Sequence, residues 1–159
     1  MEEGVEVGKE LLMGLVTRMG MEVSVEGFVR EGSLHLEVKG DPEGILIGRH
    51  GRTLDSLQML INRMVNKQLK SPLKVIIDIN DYRKRREETL RRMAFQLGEK
   101  AKRARHAVTA GPFNAHERRI IHLAIKEDPS LETESLGEGE VKRITIMPKR
   151  REDGKDPLF

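Results

Sequence analysis

Ile47-Gly48-Arg49-His50-Gly51-Arg52 restricts the fold of this chain more than any other stretch, because two glycines there frame two side chains that can carry positive charge. Upstream, Asp41-Pro42-Glu43 offers an N-cap followed by proline at the first helical position, which predicts a short helical turn through Gly44-Ile45-Leu46-Ile47. Gly48 then ends that turn, since glycine takes a left-handed conformation without steric cost. From Thr53 a new helix is expected, with Leu57, Leu60, Ile61, Met64 and Val65 recurring at helical spacing. Two helical segments would thus meet at a tight Gly-x-x-Gly corner. The second would present free amides and the positive end of its dipole beside Arg49, His50 and Arg52. A phosphodiester backbone fits such a corner, but two glycines three apart are common, so the flanks must carry the reading.

Residues 5–20 read as an amphipathic helix with Val5, Leu12, Leu15 and Met19 along one side. Met21, Val23 and Val25 alternate with polar residues, as do Leu34, Leu36 and Val38. Arg30-Glu31-Gly32-Ser33 between them makes a hairpin turn, and His35 falls on the solvent face. Val75, Ile77 and Ile79 give a third strand. Asp81 is placed to cap a helix from Tyr82 to Ala104, about 35 Å long at 1.5 Å per residue, and Gly98 inside it implies a close packing contact. The expected organisation is an α+β chain with a first domain at 1–80, a second at 81–150 and a mobile tail at 151–159. With no Gly/Ser- or Pro-rich joint between them, the two domains are expected to stand in a fixed relation.

Charged residues make up 35% of the chain and aromatics 3%, with no tryptophan, so base stacking on aromatic platforms cannot be the main binding mode. Cysteine is absent, which removes disulfides, thiol nucleophiles and cysteine-based zinc sites. No run is apolar enough to span a bilayer and no leader precedes the first helix, so a soluble cytoplasmic protein without membrane insertion is expected. The net charge of +3 hides a segregation: between Arg83 and His106 ten Lys or Arg stand against three Glu, whereas residues 127–140 hold six acids and no base. Such separation orients a polyanion better than net charge does.

A second motif is Pro112-Phe113-Asn114-Ala115-His116-Glu117-Arg118-Arg119-Ile120-Ile121-His122. Asn114 and Glu117 form a capping pair that starts a helix. On a helical wheel Arg118, Arg119, His122 and Lys126 share one arc while Ile120, Ile121, Leu123, Ala124 and Ile125 fill the other side. Arg118 and His122, four apart, can reach one phosphate or two adjacent ones. Strands are expected at Leu131–Ser135 and Val141–Met147, with Glu132 and Glu134 pairing across to Lys142 and Arg143.

The run Ile45 to Gln58, in the order helix, two strands, short helix, Gly-x-x-Gly, helix, strand, resembles a KH domain of the bacterial type II topology as found in Jag-type proteins. Arg118-x-x-x-His122 resembles the R-3-H motif, and KH followed by R-3-H is the Jag (KhpB-type) arrangement, here covering residues 5–148 without the additional N-terminal Jag-N domain. The resemblance implies a small α/β R-3-H domain behind the type II KH domain, joined by the long helix. It implies binding of single-stranded RNA, or single-stranded DNA, by a bacterial protein of post-transcriptional regulation with links to cell division, cell shape or sporulation, and with a small KH protein as partner. The binding residues it implies are Ile45, Ile47, Gly48, Arg49, His50, Gly51 and Arg52 in the first domain and Arg118, Arg119, His122 and Lys126 in the second.

Catalysis finds no support: there is no Gly-x-Ser-x-Gly, no Walker-type Gly-Lys-Ser/Thr and no His-Glu-x-x-His, and Gly137-x-Gly139 lacks the context of a nucleotide fold. No cofactor or metal is expected. The competing reading is a protein-interaction adaptor whose basic edges dock acidic partners, with weak nucleic-acid binding.

Overall fold

The computed structural model describes residues 1–150; the tail expected at 151–159 lies outside the described residues. The chain is α+β; its described residues form four α-helices and two three-stranded sheets in the order α1 (Glu2–Arg18), β1 (Ser24–Arg30), β2 (Ser33–Lys39), α2 (Arg52–Leu69), β3 (Val75–Ile79), α3 (Tyr82–Ala104), β4 (Val108–Phe113), α4 (Ala115–Lys126), β5 (Leu131–Leu136) and β6 (Lys142–Pro148). It divides into two compact units, Met1–Arg85 and a second beginning at Arg86.

In the first unit β1 and β2 form the expected hairpin, closing at Arg30 opposite Ser33, with Glu31 and Gly32 both at positive φ. β3 lies parallel to β2, so the sheet order is β1-β2-β3. Leu34, Leu36 and Val38 of β2 and Val75, Ile77 and Ile79 of β3 pack against Leu12 and Val16 of α1 and Leu54, Leu57, Ile61 and Val65 of α2. On the other face Phe28 stacks on His35 with ring centroids 5.3 Å apart. Leu60, assigned from periodicity to the apolar stripe, is 45% exposed, because it sits at the edge of the arc that Leu54, Leu57, Ile61 and Val65 fill.

A polar row along α2 closes the outer edge of β3. Asn66, Asn62 and Gln58, each four residues apart, accept the amides of Leu73, Val75 and Ile77 at 2.8, 2.8 and 2.9 Å. The Asp78 carboxylate accepts the Ile79 amide at 2.8 Å and the Arg83 amide at 3.3 Å. The side chain that serves the start of α3 is therefore Asp78, while Asp81 contributes its carbonyl to the Arg85 amide.

In the second unit the sheet is antiparallel in the order β4-β6-β5. Its core is built from Leu90, Ala94 and Ala101 of α3, Ile121 and Ile125 of α4, and Phe113, Leu131, Ile144 and Ile146 of the sheet. A Cβ on Gly98 would come within 2.9 Å of Leu131 and 3.3 Å of Ile125, so the close contact expected there is present. The strand β4 is an addition to the sequence reading. Its Gly111-Pro112 pair disguises it, and it tolerates proline because it is an edge strand. The expected charge pairing across β5 and β6 does not form. Glu132 stands opposite Met147 and Glu134 opposite Thr145, while Arg143 faces Leu136 and Lys142 faces Phe113 of β4.

Candidate nucleic-acid interface

The turn before α2 is organised by one carboxylate. Asp41, 3% exposed, accepts the amides of Ile45, Leu46 and Ile47 at 2.7, 3.0 and 3.3 Å. The short helix expected over 44–47 is instead a set of turns wrapped on that carboxylate, with Asp41 itself at φ 56°. Leu46 is driven into the core at 0% exposure, leaving Ile47 half-buried and Ile45 50% exposed on either side of it.

Gly48 (φ 71°, ψ −176°) and Gly51 (φ 78°, ψ 12°) bracket a single 3-10 turn at Arg49–Gly51 in which His50 is left-handed. Glycine is demanded at both positions by the chain's own packing as well as by φ. A Cβ at Gly48 would lie 2.2 Å from the Thr53 hydroxyl oxygen, and one at Gly51 would lie 2.7 Å from the Tyr82 ring. α2 begins at Arg52, and its first amides are partly spent: Arg52 donates to the Arg49 carbonyl and Leu54 to the Ile47 carbonyl at 3.1 Å. The helix end thus offers fewer free donors than its sequence suggests. Arg49, His50 and Arg52 are all exposed, and none is in an ion pair among the described residues. Leu54, in the first turn of α2, is fully buried and offers no surface to a ligand.

Much of the basic run on α3 serves the fold. Arg83 donates to the Ile77 carbonyl, Asp55 and Gln58. Arg85 donates to the Asn80 carbonyl, Arg86 pairs with Glu117, Arg91 with Glu87, and Lys102 with Glu99 and Asp128. The Lys102 ammonium and the Ser130 hydroxyl and amide hold the Asp128 carboxyl down to about 2. Lys84, Arg92, Lys100, Arg103 and Arg105 are exposed.

At the start of α4 the Asn114 side chain accepts the Glu117 amide at 2.9 Å, as expected of the cap. Glu117 does not reach back to the cap. It is 3% exposed and meets Arg86 of α3 at 2.8 Å, tying the two helices together. Arg118 is half-buried, and its guanidinium donates to the Phe113 carbonyl at 2.6 Å and the Glu140 carbonyl at 3.2 Å. It therefore holds the end of β4 and the β5–β6 turn, with only part of its fork left for a phosphate. Arg119, His122 and Lys126 are exposed.

Arg118, Arg119 and His122 do converge on one open depression, whose other wall is Thr133 and Ser135 of β5; Lys126 is not part of its lining. His122 Nδ1 and the Thr133 hydroxyl share a hydrogen bond of 2.6 Å. A neutral imidazole that accepts from Thr133 at Nδ1 carries its proton on Nε2, which is the tautomer that donates outward. Sequence reasoning misses Thr133 and Ser135. Their signal is the alternation Thr133, Ser135 against Glu132, Glu134, which puts the hydroxyls on the helix side of β5. Among the described residues there is no cluster of metal-ligating side chains and no helix long and apolar enough to cross a membrane.

Comparison with known proteins finds two family matches in the same order: the KH domain of KhpA/KhpB over residues 9–79 and the R-3-H domain over residues 88–148. The chain is 42% identical over 132 residues to the RNA-binding protein KhpB of Clostridium symbiosum, covering 83% of this chain and 60% of that protein. It is 30% identical over 120 residues to that of Bacillus subtilis (strain 168), covering 74% and 58%. To the protein of the same name in Streptococcus pneumoniae serotype 2 it is 26% identical over 133 residues, covering 84% and 40%. The chain thus spans 60% or less of the length of these relatives.

Proposed function

The chain belongs to the KhpB-type proteins, in which a KH domain of the KhpA/KhpB kind precedes an R-3-H domain, and from that premise we propose that it binds single-stranded RNA in the cytoplasm. The observation that carries the reading is the Gly48–Gly51 turn. Arg49, His50 and Arg52 stand exposed around a backbone that the protein's own packing keeps bare of side chains at both glycines. Phosphates are gripped there by side-chain charge, while the exposed Ile45 and half-buried Ile47 offer an apolar wall to an unstacked base. A duplex keeps its bases inside and cannot use that wall, so single strands are preferred over duplexes. Arg119, His122 and the free part of the Arg118 fork form a second phosphate site, with the Ser135 hydroxyl as a neutral donor and Thr133 holding His122 so that its Nε2–H faces outward. The role is binding; a small KH protein as partner and post-transcriptional regulation as the process rest on family membership alone.

The test is the double substitution Arg49→Asp/His50→Asp, at two exposed positions whose side chains are in no ion pair among the described residues; aspartate is among the residues that take the left-handed conformation His50 adopts. Affinity for a single-stranded RNA should fall at least about tenfold, and the slope of log affinity against log salt should shrink by about 0.7 for each phosphate the variant no longer neutralises. Circular dichroism should not change. Normal RNA binding by a folded double variant overturns the assignment of the loop, and equal affinity for duplex and single strand reduces the site to a nonspecific basic patch. Tighter binding of single-stranded DNA than of RNA would move the substrate to DNA.

A further inference from the structure

Two helices of the second unit carry one pattern in one direction. Arg91, Phe95 and Glu99 follow each other at four-residue spacing on α3, and Arg119, Leu123 and Glu127 do so on α4 and the residue that ends it. That spacing sets each trio along one side of its helix. The helices lie side by side and point the same way, since Arg86 meets Glu117 near their starts and Lys102 meets Asp128 near their ends, both at 2.8 Å. All six residues line one open groove of about 690 Å³. Phe95 is 70% exposed and Leu123 51%, an apolar centre left in water.

This face is basic at one end, apolar in the middle and acidic at the other. A surface of that kind is complementary to itself when a two-fold axis runs across the helices, because the rotation reverses both helix directions and lays acid on base while the centres meet. We propose that the α3–α4 face docks a second copy of the same chain. α3 packs antiparallel on its counterpart, with Phe95 against Phe95 and Arg91 opposite Glu99. α4 does likewise, with Leu123 against Leu123 and Arg119 opposite Glu127. Arg119 and Glu127 are in no ion pair among the described residues, and the Glu87–Arg91 and Glu99–Lys102 pairs are exposed and readily exchanged. The apolar centre is small, so the association belongs to the weak, transient class, with a dissociation constant of roughly 10⁻⁵ to 10⁻⁴ M.

The experiment is sedimentation velocity on the nucleic-acid-free chain over a concentration series up to about 0.5 mM, well above that range. The wild type should pass from monomer to dimer. Phe95→Asp should weaken dimerisation at least tenfold with an unchanged circular dichroism spectrum, since its side chain lies outside the core. Arg119→Glu and Glu127→Arg should each weaken it likewise, whereas an equimolar mixture of the two should regain dimers, because each charge then meets its opposite across the axis. A wild type that stays monomeric throughout overturns the proposal and leaves the face to a different partner. Dimers that survive Phe95→Asp, or a mixture that fails to recover, overturn it too by placing self-association elsewhere.

Discussion

Asp41 does as much to shape the Gly-x-x-Gly turn as its two glycines do. Sequence reasoning identifies it as a capping residue but gives it the wrong task. An Asp before Pro ordinarily serves the amides two or three residues on, whereas this carboxylate is buried and collects those of Ile45, Leu46 and Ile47. Nothing local announces that, because the reach depends on Leu46 being pulled into a core whose other walls are distant in sequence. Asp41→Asn, keeping shape but losing charge and one acceptor, should cost about 2–3 kcal/mol in denaturant unfolding and weaken single-strand binding, while Glu43→Gln at the exposed neighbouring position should do neither. Arg118 and Glu117 show the same limit on α4. A helical wheel says which side of a helix a residue takes, but only the fold reveals that the Phe113 and Glu140 carbonyls lie beside Arg118 and that Arg86 waits opposite Glu117.

Helices and strands with a long, regular pattern were legible. The third helix runs from Tyr82 to Ala104 as its periodicity and flanks require, and the hairpin turn at Glu31-Gly32 is where its residue types put it. The strand β4 was not, since Gly111-Pro112 cuts its pattern in half, and neither was the register of β5 on β6, which charge matching misassigned. The amide row on α2 escaped for a related reason: Gln58, Asn62 and Asn66 look like an ordinary polar stripe until β3 is laid beside them. Removing the middle member tests their role. Asn62→Ala should leave the Val75 amide without its acceptor, cost about 1–2 kcal/mol, and raise the hydrogen-exchange rate of that amide more than those of Leu34 or Leu36 on β2; equal exchange before and after would show that the row is decoration.

Across the whole molecule, the two motifs and their order were readable because each sits in a long periodic context, whereas the division of labour within the basic segment was not. Composition counts Arg83, Arg86 and Lys102 with the binding surface; the fold spends them on carbonyls and carboxylates. Two candidate phosphate sites on one covalent chain make a prediction about strand length. A strand of about 20 nucleotides should bind at least tenfold more tightly than a tetranucleotide, and Arg119→Glu should erase much of that gain while leaving tetranucleotide affinity near its original value. Filter binding or fluorescence anisotropy with a length series checks it, and a length-independent loss would mean that the second site does not share the strand. The two edges of the first sheet differ in a way that bears on solubility. Polymerisation through strands needs an acceptor edge at each end of every monomer, and here the β3 edge is chemically terminated by α2 side chains while the β1 edge carries no hydrogen bond among the described residues. Edge joining through this sheet can therefore proceed only once, β1 to β1, and stops at a pair: for the first sheet the row of amides works as a chain terminator against fibrils.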